Sequence, residues 1–341
     1  MSVITIAREG RIAVVTVDNP PVNALSQAVR QGLIEAVHTL DDDPDVAAVV
    51  LICAGRTFIA GADVSEFDKP PQPPHLPDVI SAIEMAARPW IAAIHGSALG
   101  GGFEVALGCR FRLAAAEAAV GLPEVTLGIV PGAGGTVRTP RLAGIEAAVE
   151  LVTTGKPVRA ARAHELGLID RIVAGDLRTG AIAFAEALAA ELPAPLSLRP
   201  APTVEPSLWV EAEAAIAKRA KGEAAPLRAL ACLRQACEAD FAAASKLERA
   251  TFLELRASEQ AAALRHVFFA ERAAPRPSTL SGVEPQPLST AAVIGGGTMG
   301  AGIAAALRDA GLPVVLIERD EAAVERGLAN LKSIFDGAVK R

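Results

Sequence analysis

The first part of the chain alternates short apolar runs with turns and amphipathic stretches. Val3–Ala7 and Ile12–Val17 alternate apolar and polar side chains on either side of a Glu-Gly turn, which predicts a β-hairpin. Apolar residues then recur at helical spacing from Val29 to Leu40, and Ser26 precedes them as a candidate N-cap. The chain is therefore expected to open with a hairpin and a helix.

Further apolar runs are short enough for buried strands. The strands predicted in this way are Val46–Cys53, Trp90–Ile94, Phe111–Ala114, Ala119–Gly121 and Arg171–Val173. Helical patterns are found at Asp78–Ala87, Gly134–Leu142, Ile145–Thr153, Ala160–Leu166 and Leu177–Leu192. Short strands spaced by helices favour an α/β layered or spiral domain over a β-sandwich.

The composition changes near Leu192, where prolines begin to interrupt the chain. Residues 208–270 are rich in Ala, Glu and Arg and have helical periodicity. A second proline-rich piece, residues 274–287, is typical of a linker and precedes a new apolar strand. We therefore expect a domain over residues 1–190, a helical linker region over 191–287 and a further segment over 288–341.

Composition and charge narrow the function classes. Of 341 residues, 51% are hydrophobic and 21% are charged, which is typical of a globular protein with a sizeable core. The net charge of −6, without a Lys/Arg block, argues against a nucleic-acid partner. The N-terminus lacks a signal-peptide pattern, and no apolar segment reaches the roughly 18 residues of a membrane helix, so membrane insertion is not expected.

Cysteines and histidines give no support for a metal site. The cysteine spacings match no zinc motif, and buried thiols in a reducing compartment are expected for Cys53, Cys109, Cys232 and Cys237. The five histidines are scattered along the chain. His95, at the end of an apolar strand, is expected to be packed rather than to act as a base.

Two glycine-bearing loops follow buried strands. Trp90–Ile94 leads into a turn that holds Gly100, Gly101 and Gly102, and an earlier strand leads into a loop centred on Ala62. A glycine triplet permits either close approach of a ligand to the backbone or tight packing of a helix on a strand. Two such loops at strand ends can each direct one backbone N–H at the same oxygen, as in an oxyanion hole.

Two carboxylates lie in apolar surroundings close to these loops, Glu104 and Glu124. A pair of carboxylates with raised or separated pKa values can act as base and acid around one substrate. The alternative is a pair of surface or salt-bridged glutamates, and their spacing alone does not decide between the two.

Three sequence blocks make the interpretation specific. They are Phe58-Ile-Ala-Gly-Ala-Asp63, His95-Gly-Ser-Ala-Leu-Gly-Gly-Gly-Phe-Glu104 and Gly121-Leu-Pro-Glu-Val-Thr-Leu-Gly-Ile-Val-Pro-Gly-Ala-Gly-Gly-Thr136. In this order they resemble the signature blocks of the crotonase (enoyl-CoA hydratase/isomerase) superfamily, and Arg138–Val173 continues the similarity. The resemblance covers roughly residues 1–190 and implies a spiral ββα fold with an oxyanion hole for a CoA thioester.

The resemblance also implies roles for single residues. It assigns the two donors of the oxyanion hole to the backbone N–H groups of Ala62 and Gly101, and the two catalytic carboxylates to Glu104 and Glu124. It further places three residues at the substrate, namely Ala60, Asp63 and Gly132, the last with an N–H that helps to hold water.

Many members of the superfamily lose one or both glutamates, whereas this chain keeps both. The resemblance therefore implies hydration of a trans-2-enoyl-CoA to a 3-hydroxyacyl-CoA in fatty-acid β-oxidation, which requires no cofactor. Glu124 alone could also move a proton between carbons, as in Δ3,Δ2-enoyl-CoA isomerisation. Thioester hydrolysis and a non-catalytic acyl-CoA-binding scaffold are the alternatives.

The last segment carries a different glycine pattern. Gly295, Gly297 and Gly300 follow an apolar strand and open a helix, and Glu318 ends the next strand. This context predicts the start of a Rossmann-type fold, with a pyrophosphate over the glycine turn and a ribose at Glu318, which favours NAD over NADP. The segment resembles the NAD domain of 3-hydroxyacyl-CoA dehydrogenases, and by that likeness Met299 joins the cofactor residues.

The order of the two resemblances is that of the N-terminal part of the fatty-acid β-oxidation multifunctional enzymes. In that family the dehydrogenase uses several hundred further residues, among them a catalytic His/Glu pair. The chain ends at Arg341, after the second helix of the nucleotide fold. We therefore expect NAD to serve only a complete dehydrogenase domain, and this chain to have no dehydrogenase activity and weak or no NAD affinity.

Partners and location also follow from the resemblance. The expected ligand is an acyl-CoA thioester, and the protein partners considered are a second copy of the chain or a thiolase. In stand-alone hydratases the C-terminal helices help to build trimers, whereas in the multifunctional relatives they cover the hydratase domain of the same chain. The long, proline-flanked helical region favours the second arrangement. The expected location is the cytoplasm of a bacterium or the peroxisome of a eukaryote.

Overall fold

The structure is a computed structural model, and it describes residues 2–63, 66, 70–188, 191–275, 277–280, 282–284 and 286–339. Contacts divide the chain into two compact units, Met1–Arg272 and Ala273–Arg341. In the part of the chain that is described, no helix is long and apolar enough to cross a bilayer.

The first unit is built on a six-stranded sheet with strand order β1-β2-β3-β4-β6-β9. These strands are β1 (Ile4–Glu9), β2 (Ile12–Val17), β3 (Ala48–Cys53), β4 (Trp90–Ile94), β6 (Phe111–Ala115) and β9 (Arg171–Val173). The predicted hairpin is confirmed, because β1 pairs with β2 in antiparallel register. The remaining neighbours are parallel. The ends of β3 and β4 therefore lie side by side, and the two glycine loops that follow them are brought together.

The central strands are buried on both faces, which explains their continuous apolar runs. Val15, Val49 and Ala92 belong to the main core, whereas Val50 and Ile91 point to the opposite face. That second face is covered by α6 (Leu177–Glu186). The helices on the main-core side are α1 (Gln27–Asp41), α2 (Leu76–Met85), α3 (Gly101–Gly108), α4 (Gly135–Thr154) and α5 (Ala160–Glu165).

A smaller sheet supports the end of the glycine turn. Its strands are β5 (Ser97–Leu99), β7 (Ala119–Gly121) and β8 (Val158–Arg159), in the order β5-β7-β8. The N–H of Gly100 donates to the carbonyl of Gly121 at 2.9 Å, directly after the β5–β7 pairing. A short 3-10 helix, Pro123–Leu127, then carries Glu124. The small sheet thus fixes the start of α3 relative to that helix.

Four helices follow the α/β part of the first unit: α7 (Pro206–Ala220), α8 (Ala225–Glu238), α9 (Phe241–Arg256) and α10 (Glu259–Ala273). Their apolar side chains join the main core, among them Trp209, Ile216, Leu230 and Leu255. Val137 of α4 packs with Ala236 and Ala244 in a smaller cluster. The helical region therefore covers the α/β part of the same chain, as the second of the two arrangements predicted.

The second unit contains β10 (Ala291–Ile294), α11 (Thr298–Asp309), β11 (Val314–Ile317) and α12 (Glu321–Val339). Its two strands are parallel and pair Ala291 with Val314 through Ile294 with Ile317. This is the strand–helix–strand arrangement that the glycine pattern predicts.

The structure differs from the sequence predictions in three places. The helix predicted over Leu177–Leu192 ends at Glu186, and residues 189–190 lie outside the described part of the chain. The two helices predicted on either side of Gly144 form α4, which is kinked where Gly144 has a φ of 80°. Strands β5 and β8 were not predicted.

The glycine triplet serves packing and backbone geometry together. Gly100 is the N-cap of α3 and has a φ of 53° and a ψ of −127°, which side-chain-bearing residues rarely adopt. A Cβ at Gly102 would lie 2.1 Å from the carbonyl oxygen of Ile59. Gly102 is therefore needed for close packing of α3 on the Ala62 loop, and it contacts no ligand site directly.

We predict that Gly102→Ala lowers the free energy of unfolding of the first unit by about 1–3 kcal/mol or more, because the Ile59 carbonyl is backbone and cannot rotate away. Both tryptophans, Trp90 and Trp209, lie in the first unit, so thermal melting followed by tryptophan fluorescence reports on it. Gly302→Ala on α11, where a Cβ would meet nothing within 4 Å, is the matched control and should leave this melting temperature unchanged. Equal melting temperatures for both variants would contradict the packing role.

Candidate active site

A cavity of about 760 Å³ opens where the two glycine loops meet the 3-10 helix. All seven residues that the sequence predicts for the thioester site line it: Ala60, Ala62, Asp63, Gly101, Glu104, Glu124 and Gly132. Residues 25–30 and 70–76 contribute further wall, together with side chains of α9 and α10. The structure thus brings together residues that are widely separated in the sequence.

The proposed oxyanion hole lies between the Ala62 loop and the first residue of α3. The backbone nitrogen of Ala62 is 3.5 Å from the position that a Cβ on Gly101 would occupy. The Ala62 loop is anchored because the N–H of Leu25 donates to the Gly61 carbonyl at 3.0 Å. No described backbone carbonyl accepts a hydrogen bond from the N–H of either Ala62 or Gly101. Two residues that line the cavity thus have N–H groups without a described backbone acceptor, as the predicted hole requires.

Glu104 lies in the first turn of α3 and is buried, with 3% of its surface exposed. Its Oε1 accepts hydrogen bonds from the N–H groups of Ala133 and Gly135 at 2.8 and 2.9 Å. Burial raises the pKa of Glu104 above its usual value, whereas these two hydrogen bonds oppose the rise. The two hydrogen bonds thus offset part of the cost of burying the carboxylate form at a position that borders the cavity.

Glu124, on the 3-10 helix, is buried in a different way. Its Oε2 is enclosed and has no hydrogen-bond partner among the described residues. Burial, and then the charge of Glu104, raise the pKa of Glu124 well above its usual value. Glu124 therefore keeps its proton to a higher pH than an ordinary glutamate does.

The pKa values of both glutamates are raised, that of Glu124 more than that of Glu104, because the surroundings of the two carboxyl groups differ. Glu104 receives two donors that favour its charged form, whereas Glu124 has an unpartnered oxygen and a charged neighbour. Burial of both excludes the alternative of a surface pair. Titratable groups whose environments separate their pKa values are suited to act as base and acid at one site.

A third buried carboxylate, Glu248 on α9, was not predicted from the sequence. Its Oε1 accepts from the N–H of Gly134 at 2.6 Å, and its Oε2 accepts from the N–H and the hydroxyl of Thr136 at 2.7 and 2.5 Å. Burial and the charge of Glu104 raise the pKa of Glu248 to about 8. A signal was present in the sequence, because Glu248 lies at helical spacing from Ala244, Thr251 and Leu255, which are buried on the same face of α9.

Two arginines supply positive charge near the carboxylates. Arg138 forms a buried ion pair with Glu84 at 2.6 Å and also donates to the carbonyl of Ala133 at 3.2 Å. Arg249 on α9 lines the cavity and donates to the carbonyl of Gly132 at 3.3 Å. Neither arginine was predicted as a site residue, since isolated basic residues on helices carry no motif.

Gly132 is placed by close packing against α9. A Cβ at Gly132 would lie 2.5 Å from Cγ of Phe252, whose ring backs the cavity wall at this point. The predicted role of the Gly132 N–H in holding water stays a prediction, as do the substrate-binding roles of Ala60 and Asp63.

The predicted nucleotide residues lie together in the second unit. Gly295 ends β10 with a φ of 94°, and Gly297 is the N-cap of α11. A Cβ at Gly300 would lie 1.7 Å from the Gly295 carbonyl oxygen, whereas one at Gly297 would meet nothing within 4 Å. A tightly packed turn with open space above it fits the diphosphate of NAD.

Two further residues complete this turn. Met299 is 80% exposed at the start of α11. Oε1 of Glu318 accepts the N–H of Gly296 at 2.5 Å, so this carboxylate braces the glycine turn. The expected contact of Glu318 with a ribose stays a prediction.

Among the described residues, no group of three or more His, Cys, Asp or Glu side chains is arranged so that it could hold a metal ion. The four cysteines are free thiols, of which Cys53, Cys109 and Cys232 are buried. His95 is half-buried against the carbonyl of Gly55 and does not line the cavity.

Comparison with known proteins gives two family matches. Residues 7–199 match the enoyl-CoA hydratase/isomerase family, and residues 290–341 match the NAD binding domain of 3-hydroxyacyl-CoA dehydrogenase. The peroxisomal bifunctional enzyme of Danio rerio is 40% identical over 342 residues, which cover 97% of this chain and 47% of the relative. The peroxisomal fatty acid beta-oxidation multifunctional protein of Oryza sativa subsp. japonica is 37% identical over 349 residues, with coverages of 97% and 48%. The chain thus spans about half the length of these curated relatives.

Solved structures give the same picture for the first unit. Carnitinyl-CoA hydratase from Mycobacterium avium is 31% identical, with a TM-score of 0.58 over 80% of this chain and 97% of that chain. Enoyl-CoA hydratase from Bacillus anthracis is 26% identical, with a TM-score of 0.52 over 79% of this chain and 96% of that chain. The first unit therefore has the crotonase-like fold that the sequence predicts.

We predict that the free energy of unfolding of the first unit falls less between pH 5 and pH 8 in Glu124→Gln than in the unsubstituted chain. A carboxyl whose pKa is raised on folding keeps its proton in the folded state while the unfolded state loses it, so stability falls as pH rises from about 5. The amide does not titrate, so this contribution is lost in the variant. Tryptophan-fluorescence melts at both pH values measure the difference, and an unchanged difference would contradict the burial of a protonated Glu124.

Proposed function

The chain belongs to the enoyl-CoA hydratase/isomerase family, and on that premise we propose that it hydrates trans-2-enoyl-CoA thioesters to 3-hydroxyacyl-CoA thioesters in fatty-acid β-oxidation. The observation that carries the proposal is the pair Glu104 and Glu124, buried at one cavity with pKa values that are raised to different extents. A scaffold that only bound acyl-CoA would have no need of two buried carboxylates that burial destabilises.

The oxyanion hole acts on the thioester carbonyl. Its oxygen accepts hydrogen bonds from the N–H groups of Ala62 and Gly101, and Gly101 adds the positive end of the α3 dipole. Negative charge accumulates on this oxygen when the enolate forms, so the hole binds the transition state more strongly than the substrate. In acyl-transfer enzymes one such donor contributes roughly 3–4 kcal/mol.

The glutamates then add water across the C2–C3 double bond. Glu104, held by the N–H groups of Ala133 and Gly135, orients a water molecule and takes its proton as the oxygen attacks C3. The electrons of the double bond move towards the thioester, and Glu124 gives a proton to C2. The carboxyl groups need no cofactor for this reaction.

A second activity, Δ3,Δ2-enoyl-CoA isomerisation, would need Glu124 alone in its carboxylate form. The carboxylate would take a proton from C2 beside the oxyanion hole and return it to C4 as the double bond moves from C3–C4 to C2–C3, and no water need be activated. Thioester hydrolysis is less well supported, because it would leave the protonated Glu124 without a role.

For the second unit we propose that the turn around Gly295, Gly297 and Gly300 belongs to the NAD site of a complete dehydrogenase domain, and that residues 273–341 alone bind NAD weakly or not at all. When bound, NAD supplies a hydride acceptor. Residues 273–341 contain no histidine to act as a base. We therefore assign no dehydrogenase step to these residues.

Partners and location remain proposals for this chain. The named relatives are peroxisomal proteins. For this chain a peroxisomal location follows if it is eukaryotic, and a cytoplasmic one if it is bacterial. The four free thiols fit a reducing compartment in either case. An assembly with a second copy or with a thiolase stays a prediction.

We predict that Glu104→Gln and Glu124→Gln each lower kcat for hydration of crotonyl-CoA by roughly 100-fold or more, because general acid–base groups contribute 10²–10⁴-fold. Loss of the crotonyl-CoA absorbance measures the rate. Glu146→Gln on the exposed side of α4 is the matched control and should keep normal turnover. Near-normal turnover in both site variants would overturn the proposed mechanism.

We predict a bell-shaped dependence of kcat on pH. Activity falls on the acid side as Glu104 gains a proton, and on the alkaline side as Glu124 loses its own. Because both pKa values are raised, both limbs lie above the usual range for a glutamate. The residual activity of Glu124→Gln should lack the alkaline limb. An alkaline limb that is identical in the variant would show that another group is the acid.

A further inference from the structure

The backbone turn that holds Glu104 is shared with a second carboxylate. Four consecutive N–H groups at the start of α4 alternate between two acceptors. Those of Ala133 and Gly135 donate to Glu104, and those of Gly134 and Thr136 donate to Glu248. The two carboxylates therefore approach the turn from opposite sides, one from α3 and one from α9.

Glu248 does not belong to the cavity wall. Only 1% of its surface is exposed, and it is absent from the residues that line the cavity. Both of its oxygens are occupied, since they accept two backbone N–H groups and the Thr136 hydroxyl. It therefore cannot touch a substrate, and any effect on the reaction must pass through the turn.

We propose that Glu248 is a positioning residue for hydration, because it fixes the turn at residues 133–136 so that two of its N–H groups point at Glu104. The inference rests on the proposed function, in which Glu104 activates water. It also assigns a part in the site to the helical region, since α9 lies outside residues 7–199 that match the family.

The carboxylate of Glu248 provides buried acceptors for the N–H groups of Gly134 and Thr136. Without the Glu248 carboxylate, the N–H groups of Gly134 and Thr136 lose their buried acceptors, which favours rotation of these peptides towards other partners. Consecutive peptide planes are joined at a shared α-carbon, so rotation of the peptides that carry the Gly134 and Thr136 N–H groups also moves the N–H groups of Ala133 and Gly135. A displacement of about 1 Å at a catalytic group can reduce the rate by as much as 100-fold.

The test uses the whole chain and the variants Glu248→Gln, Glu104→Gln and the double variant. In Glu248→Gln an amide NH₂ faces a backbone donor, so kcat for crotonyl-CoA hydration should fall roughly 10- to 100-fold while KM stays within about 2-fold. In the Glu104→Gln background the same change should have little further effect, because residues that act through one another are not additive. Unchanged kcat in Glu248→Gln, or losses that multiply in the double variant, would overturn the proposal.

A matched control and a second readout separate positioning from general stability. Thr251→Val alters a buried residue on the same face of α9 whose hydroxyl lies against Cys232, and it should retain normal kcat. NMR amide shifts of Ala133 and Gly135 should move in Glu248→Gln and not in Thr251→Val. If the unsubstituted chain failed to hydrate crotonyl-CoA, the proposed function would be wrong, and the positioning role would be tested by the amide shifts alone. Unchanged shifts in Glu248→Gln would overturn that role, and changed shifts would support it.

Discussion

The supply of backbone N–H groups to buried carboxylates is the constraint on which this site depends. A carboxylate removed from water is destabilised by several kcal/mol unless donors replace its hydration. The start of α4 provides those donors to Glu104 and Glu248, whereas Glu124 lies where no described residue donates to its Oε2. In the proposed mechanism, this uneven distribution of donors distinguishes Glu104 as the base from Glu124 as the acid.

The fold of the first unit places the two glycine loops of this site next to each other. Parallel pairing of β3 with β4 places the Ala62 loop beside the start of α3, and the small sheet holds Gly100 against Gly121. Gly102 lets α3 approach the Ile59 carbonyl closely. Within the glycine triplet, Gly102 thus serves the packing of α3, whereas Gly101 lines the cavity.

The sequence predicted the parts of the site that lie in contiguous motifs. The loops at Ala62 and Gly101 and the glutamates 104 and 124 each follow a recognisable block, and the parallel strands bring the blocks together. Glu248 lies 114 residues from Gly134, so its contact depends on how the α9 helix packs on α4. A single glutamate within an apolar stripe indicates burial, but it does not identify the partner.

Strands β5 and β8 and the end of α6 were also not predicted from the sequence. Strands β5 and β8 form because their neighbours offer unpaired edges, and not because three or two residues prefer extended structure. The Ala-rich sequence continues the helical pattern up to Leu192, and so it does not reveal that α6 ends at Glu186.

The most direct test of the account is a crystal structure of the chain with a bound 3-hydroxyacyl-CoA, the product of the proposed reaction. We predict that the thioester oxygen accepts hydrogen bonds from the N–H groups of Ala62 and Gly101. The C3 hydroxyl should contact Glu104, and Glu124 should lie within reach of C2. A thioester bound away from the two N–H groups, or a hydroxyl with no contact to Glu104, would contradict the account.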